Sequence, residues 1–146
     1  MIKTKVFDKI NKPDNSEKAE IINFLSVHLQ EYGDPKKDIQ KAIDYSVEEF
    51  TSFGGFTMII MDDNVIVGAT VINQTGMGGY IPENILVYIA THKDYRGKGL
   101  GKSLMQRAID YSNGDIALHV EANNPAIHLY KKLGFSNPYL EMRLKK

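Results

Sequence analysis

The stretch that most constrains this chain is Arg96-Gly97-Lys98-Gly99-Leu100-Gly101, because glycines at alternate positions strip the side chains from a turn and leave its backbone bare. Before it runs Ile85 to Ala90, uninterrupted, apolar and rich in β-branched residues, which predicts a central strand covered on both faces. After it, Leu100, Leu104, Ala108 and Tyr111 recur on one face of a helix predicted from about Gly99 to Ser112. In a strand–loop–helix of this kind the loop N–H groups converge on one point, and the helix adds its positive end. Such a site suits a pyrophosphate, with Arg96, Lys98 and Lys102 neutralising part of its charge. Each dipole contact contributes only about 0.3–1 kcal/mol, so binding needs several donors together and a long contact elsewhere. The spacing is neither G-x-G-x-x-G nor G-x-x-x-x-G-K-[ST], so it is neither the dinucleotide fingerprint nor a Walker loop. By itself the loop also reads as a turn that merely reverses the chain.

The remaining elements follow from periodicity and punctuation. Lys3 to Phe7 alternates like a half-buried strand. Asp14 and Glu17 form a capping-box pattern before a helix from about Ser16 to Tyr32, with Ile21, Leu25, His28 and Tyr32 on one face and Gly33 at its end. Asp34-Pro35 reads as an N-cap and first-turn proline for a second helix striped by Ile39, Ile43, Val47 and Phe50, broken at Gly54-Gly55. Phe56–Met61 and Val65–Asn73 read as a hairpin around Asp62-Asp63-Asn64. Gln74 to Pro82 is too glycine-rich for a regular element. Ile116–Val120 is a strand, Asn124-Pro125 caps a short helix through Leu133 with Gly134 at C′, and Tyr139–Leu144 is a last strand. The order β-α-α-β-β-β-α-β-α-β predicts an α/β (α+β) fold, one mixed sheet with helices on both faces. No linker divides the chain, so residues 1–146 are expected to form one domain.

Composition narrows the function classes. Lys plus Arg and Asp plus Glu both total 18, which argues against a nucleic-acid or membrane-surface binder. No run of about 18 apolar residues predicts a span, and the first residues lack a signal-peptide h-region. The absence of cysteine excludes disulfides, thiolate metal sites and a cysteine acyl-enzyme, and fits a cytoplasmic protein. His28, His92, His119 and His128 show no metal spacing, so no metal is expected.

A second motif, Asn123-Asn124-Pro125-Ala126-Ile127-His128-Leu129-Tyr130-Lys131-Lys132-Leu133-Gly134-Phe135, follows the loop at a set distance. Together with R-x-x-G-x-G after a strand, it closely resembles the GNAT superfamily of acyl-CoA N-acyltransferases. The specific motifs span about Ile85 to Phe135. The resemblance implies a GNAT-like sheet that splays after its fourth strand, with acetyl-CoA in the gap as acyl-donor cosubstrate. It implies that the backbone of Ile89, Ala90 and Thr91 pairs with pantetheine, and that Arg96 through Gly101, with Lys102 and Ser103, hold the pyrophosphate. It matches Tyr130 to the tyrosine that protonates the departing thiolate. The family asparagine falls on Asn123 by its spacing to Ala126 and on Asn124 by the Asn-Pro pair, so both stand as cofactor contacts, with Asn124 also an ordinary N-cap.

With no cysteine, the implied acetyl transfer proceeds by direct attack of a neutral amine in a ternary complex. Tyrosine at pKa about 10 protonating a thiolate whose acid has pKa about 8.5 is uphill by roughly 2 kcal/mol. Deprotonating a lysine-like amine at pH 7 costs about 4.6 kcal/mol and an α-amine about 1 kcal/mol. Some relatives place a glutamate base on the fourth strand, eleven residues before the position of Arg96, which is Ile85 here. Glu83, two residues earlier, is the catalytic alternative, with His119, Glu121, Tyr80 and Tyr88 as further pocket candidates. The expected acceptor is a small-molecule or peptide amine, bound among the first two helices, Gly76–Pro82 and the last strand. Tyr80, Tyr88, Tyr139 and Glu141 are the expected substrate contacts. A CoA-binding regulatory domain without turnover is the alternative. Strand edges near the C-terminus offer a homodimer contact, as superfamily members often use.

Overall fold

The computed structural model describes every residue from Met1 to Lys146. Five strands pair in their sequence order. They are β1 (Ile2–Phe7), β2 (Gly55–Asp62), β3 (Val65–Gln74), β4 (Asn84–Thr91) and β5 (Ile116–Leu118). The first three pairings are antiparallel and the last, β4 with β5, is parallel. A parallel neighbour requires a crossover. Here the glycine loop and α3 (Leu100–Tyr111) supply it. The remaining helices are α1 (Asn15–His28), α2 (Lys36–Ser46) and α4 (Ile127–Lys132). The fold is thus the expected mixed sheet with helices on both faces.

Each face buries its own core. Ile21, Leu25, Ile39 and Ile43 from α1 and α2, with Val47 at the end of α2, pack on Phe7, Ile59, Val71, Tyr88 and Ala90. On the opposite face, Leu104, Met105 and Ala108 of α3 and Tyr130 of α4 pack on Met58, Ile60, Ile72 and Leu86. Burying each such aliphatic side chain contributes about 1.5–3 kcal/mol, so the stripes read from sequence account for the helix placement.

Asp14 and Glu17 do form the capping box: Glu17 N–H donates to Asp14 Oδ1 at 2.7 Å, and Asp14 N–H to Glu17 Oε1 at 3.0 Å. Several boundaries differ from expectation. The first helix ends at His28, and a 3-10 turn carries Gln30–Tyr32, where Gln30 takes φ 55°. Pro35, not Asp34, caps α2, with no side-chain cap bond. Phe50 and Tyr111 are exposed at 45% and 52%, so they leave the apolar stripes. The fifth strand stops at Leu118.

The predicted last strand does not form. Residues 139–144 carry no regular structure, and Leu140 and Met142 are about nine-tenths exposed. A strand needs a partner ladder as well as an alternating pattern. Here only single side-chain contacts reach this segment, such as His119 Nδ1 to Glu141 Oε1 at 3.8 Å.

Candidate acyl-donor and acceptor site

The candidate site is a gap in the sheet, and its shape begins at the closed end. Asn84 Nδ2 donates to the carbonyls of Asn113 (2.6 Å) and Asp115 (3.2 Å), and Asn84 N–H donates to the Asp115 carbonyl at 3.0 Å. Glu83 Oε1 accepts the N–H of Asp115 at 2.9 Å. These bonds clamp the start of β4 to the start of β5. The strands then pair only through Leu86 and Leu118. On its other edge β4 pairs Leu86 with Ile72 and Tyr88 with Val71, which leaves Val87 as an extra residue. A bulge bends the strand that carries it and reverses its side-chain alternation. Leu86 therefore faces α3, whereas Tyr88 and Ala90 face α1 and α2. Past Val87 the β5-facing edge of β4, including Ile89, Ala90 and Thr91, has no strand beside it.

The glycine loop closes the open end. A short 3-10 turn, Lys93–Tyr95, leads from β4 into it. Gly97 and Gly99 adopt φ 76° and 79°, left-handed conformations that favour glycine. A Cβ at either position would meet nothing within 4 Å, so the loop surface is open. The N–H groups of Gly97, Lys98 and Gly99 donate to no backbone carbonyl, and the first helical bond runs from Ser103 N–H to the Gly99 carbonyl at 3.0 Å. The N–H groups of Leu100, Gly101 and Lys102 are then first-turn donors without an intrahelical partner. Gly101 lies between Thr91 and Leu129: an added Cβ would stand 3.6 Å and 3.9 Å from their methyl carbons, so β4, α3 and α4 converge there. Successive free donors at the start of a twelve-residue helix make an anion cradle.

The cations around the cradle divide their work. Arg96 Nη2 donates to the His28 carbonyl at 3.1 Å, tying the end of α1 to the loop. The Lys98 ammonium lies 5.4 Å from the centre of the Tyr95 ring. Lys102 and Ser103 project from the exposed first turn of α3. His28 and His92 stack with ring centres 4.4 Å apart. Burial, then the neighbouring His92 and Arg96, hold His28 below the usual histidine range, so the mouth already disfavours further positive charge.

The other predicted residues are dispersed around the gap. Tyr130 is buried among the α3 and α4 side chains, edge-on to Phe135, and burial alone pushes its hydroxyl above the usual tyrosine range. Asn124 Oδ1 accepts the Ala126 N–H at 2.9 Å, a local turn that prepares α4. The Asn123 carbonyl accepts the Tyr32 hydroxyl at 3.4 Å. Glu83 is held below the usual carboxylate range, first by the Asp115 N–H, and its carboxylate lies beside Gly78 and Gly114 at the closed end. Tyr80 and Tyr139 are more than three-quarters exposed, and Glu141 pairs with Arg143. Tyr88 is buried, and its hydroxyl donates to Asp34 Oδ2 at 2.5 Å. Sequence reading missed Asp34 and Tyr32, since the first passed for a helix cap and the second for a helix face. Contacts spanning 54 and 91 positions leave no local signal.

Residues 20–135 match the model of the acetyltransferase (GNAT) family. N-alpha-acetyltransferase 30 of Schizosaccharomyces pombe is 28% identical over 85 residues, covering 55% of this chain and 57% of that protein. Spermidine N(1)-acetyltransferase of Vibrio cholerae is 39% identical over 62 residues, covering 38% and 36%. The chain thus spans under two thirds of the length of either curated relative. The ribosomal-protein-S18-alanine N-acetyltransferase of Escherichia coli superposes with a TM-score of 0.71 at 17% identity, covering 95% of this chain and 80% of that one.

Proposed function

The chain belongs to the acetyltransferase (GNAT) family, and on that premise we propose that it transfers the acetyl group of acetyl-CoA to a primary amine of a small molecule or peptide, by direct attack in a ternary complex. The carrying observation is the junction of two donor sets. The free N–H groups of Gly97 through Lys102 meet the unpaired edge of β4 at Ile89–Thr91, where the sheet has parted from β5. One end suits a pyrophosphate, and the other suits an extended amide-bearing arm that completes the missing strand. Acetyl-CoA has both parts, joined in that order. The curated relatives' names, an N-alpha-acetyltransferase and a spermidine acetyltransferase, support an amine acceptor.

The chain's own groups then have separate tasks. The N–H groups of Gly97 through Lys102, with the Lys102 and Ser103 side chains, hold the donor's phosphates, and Arg96 fixes the loop to the end of α1. The bare β4 edge aligns the thioester-bearing arm in the gap. Tyr130 is protonated at neutral pH like any tyrosine, as a proton donor to a leaving thiolate requires, and burial raises it further, which makes that transfer more uphill than the roughly 2 kcal/mol of an unperturbed pair. The attacking amine arrives neutral; as its nitrogen bonds the acetyl carbon the C–S bond breaks, Tyr130 protonates the departing thiolate, and the nitrogen passes its own proton to solvent water. Glu83 is a weak base for it, because the Asp115 N–H stabilises the carboxylate.

Thermal unfolding with acetyl-CoA, ATP or NAD tests the donor, since a ligand bound only by the folded state raises its stability. No shift at saturating acetyl-CoA removes this reading. CoA release across a panel of amines, amino acids and peptides then tests transfer. Stabilisation without release from any amine points instead to a CoA-binding regulatory domain, the reading that Ile85 and the clamped Glu83 favour.

A further inference from the structure

Asp34 is a carboxylate removed from the task its sequence position suggests. It directly precedes Pro35 and α2, yet its side chain bonds no helix N–H. Instead Oδ2 accepts the Tyr88 hydroxyl at 2.5 Å. Tyr88 stands on β4 just past the bulge and two residues beyond the last β4–β5 pair, so it marks the point where the gap opens. The same α1–α2 connection carries Tyr32, whose hydroxyl reaches the Asn123 carbonyl beyond β5. The connection therefore bridges the gap on the face opposite α3 and α4, one anchor on each side. Asp34 is exposed and takes part in none of the chain's ion pairs. A carboxylate has about four lone-pair positions, and the tyrosine uses one.

We infer that Asp34, oriented by Tyr88 over the open gap, anchors a cationic group that the acceptor carries in addition to the amine it presents. This deepens the acetyltransferase reading and rests on it. The attacking amine has to be neutral, so it gains little from a carboxylate. A second, non-reacting ammonium keeps its proton and gains a charge-assisted bond. Tyr88 is the positioning residue: its ring is locked in the α1–α2 core, and its hydroxyl fixes where the carboxylate stands. The nearby carboxylates reinforce the sign of the field: burial comes first for both tyrosines, and after it Asp34 and Asp38 raise the Tyr88 hydroxyl and Glu31 and Glu121 raise that of Tyr32. A diamine, or a peptide with a basic group near its reacting amine, presents this chemistry.

The test compares 1,4-diaminobutane with n-butylamine, equal in chain length and different by one cation, using the full chain at saturating acetyl-CoA. Wild type should show the lower KM for the diamine. Asp34→Asn should raise the diamine KM about tenfold more than the monoamine KM, the size of a lost hydrogen bond to a charged group. Tyr88→Phe should move the same ratio in the same direction, and the double variant should add little to Asp34→Asn, because both act through one carboxylate. Thermal shift by the diamine in the presence of CoA reads the anchor without turnover, and Asp34→Asn should abolish that shift. An unchanged ratio in Asp34→Asn, no wild-type preference for the diamine, or no diamine-induced shift overturns the inference. If acetyl-CoA binds and amines are acetylated without that preference, the anchor fails and the acetyltransferase reading stands. If the diamine shift is present and sensitive to Asp34 but no amine is acetylated, the anchor stands and the transfer reading fails.

Discussion

The Glu83 carboxylate accepts the Asp115 backbone N–H at 2.9 Å, at the closed end of the gap between β4 and β5. The bond joins two strands that pair over only three residues before they part. Glu83, two residues before the strand position where some relatives carry a glutamate base, has the contacts of a clasp.

Replacing Glu83 with Gln should therefore lower the melting temperature and leave kcat near wild type. Its folded pKa is depressed, so its contribution to stability is present above the unfolded carboxylate range and is lost as pH falls through the folded pKa. The gap in melting temperature between wild type and variant should narrow as pH drops below about 4.5, the ordinary glutamate value. A fall in kcat of a hundredfold or more, the size expected on losing a general base, would return catalysis to Glu83.

Tyr130→Phe should lower kcat by about a hundredfold or more and leave acetyl-CoA affinity nearly unchanged, because it removes a proton donor and little packing. Steady-state kinetics alongside calorimetric titration separates the two. Wild-type turnover in the variant would end the acid role.

The glycines divide into two kinds. At Gly55 an added Cβ would lie 2.0 Å from the Ile72 carbonyl oxygen, a backbone atom that cannot swing aside. Gly55→Ala should thus fail to fold or melt far below wild type. Gly97 has open space but φ 76°, so Gly97→Ala should cost only about 1–2 kcal/mol of stability, while weakening acetyl-CoA binding through a distorted cradle. Denaturant unfolding and acetyl-CoA titration of both variants check the contrast; equal stability losses would contradict it.

Lys102→Ala should weaken acetyl-CoA binding about two- to fivefold, as expected for one exposed charge at a helix N-terminus. The difference from wild type should shrink as salt screens the pair. A salt-independent loss would mean that Lys102 acts through packing.

Local rules brought out much of this. The Asp14–Glu17 box, the aliphatic stripes of α1, α2 and α3, the β2–β3 hairpin and the glycine cradle each rest on residues near one another in the chain. Pattern alone misled at residues 139–144, where alternation without a paired edge left the segment without a strand. It misled again at Asp34, whose local cap position lost to a tyrosine on β4.

The sequence by itself determined that a donor-rich turn follows a buried strand and precedes an amphipathic helix, because glycine spacing and apolar period act over a few residues. Only the tertiary structure decided where that turn opens. The bulge at Val87, the clamp of Glu83 and Asn84 on the start of β5, and the reach of Tyr88 to Asp34 are relations between distant segments. Strand register and side-chain direction exist only once those segments pack, so the acceptor side of the gap had to be read from the fold.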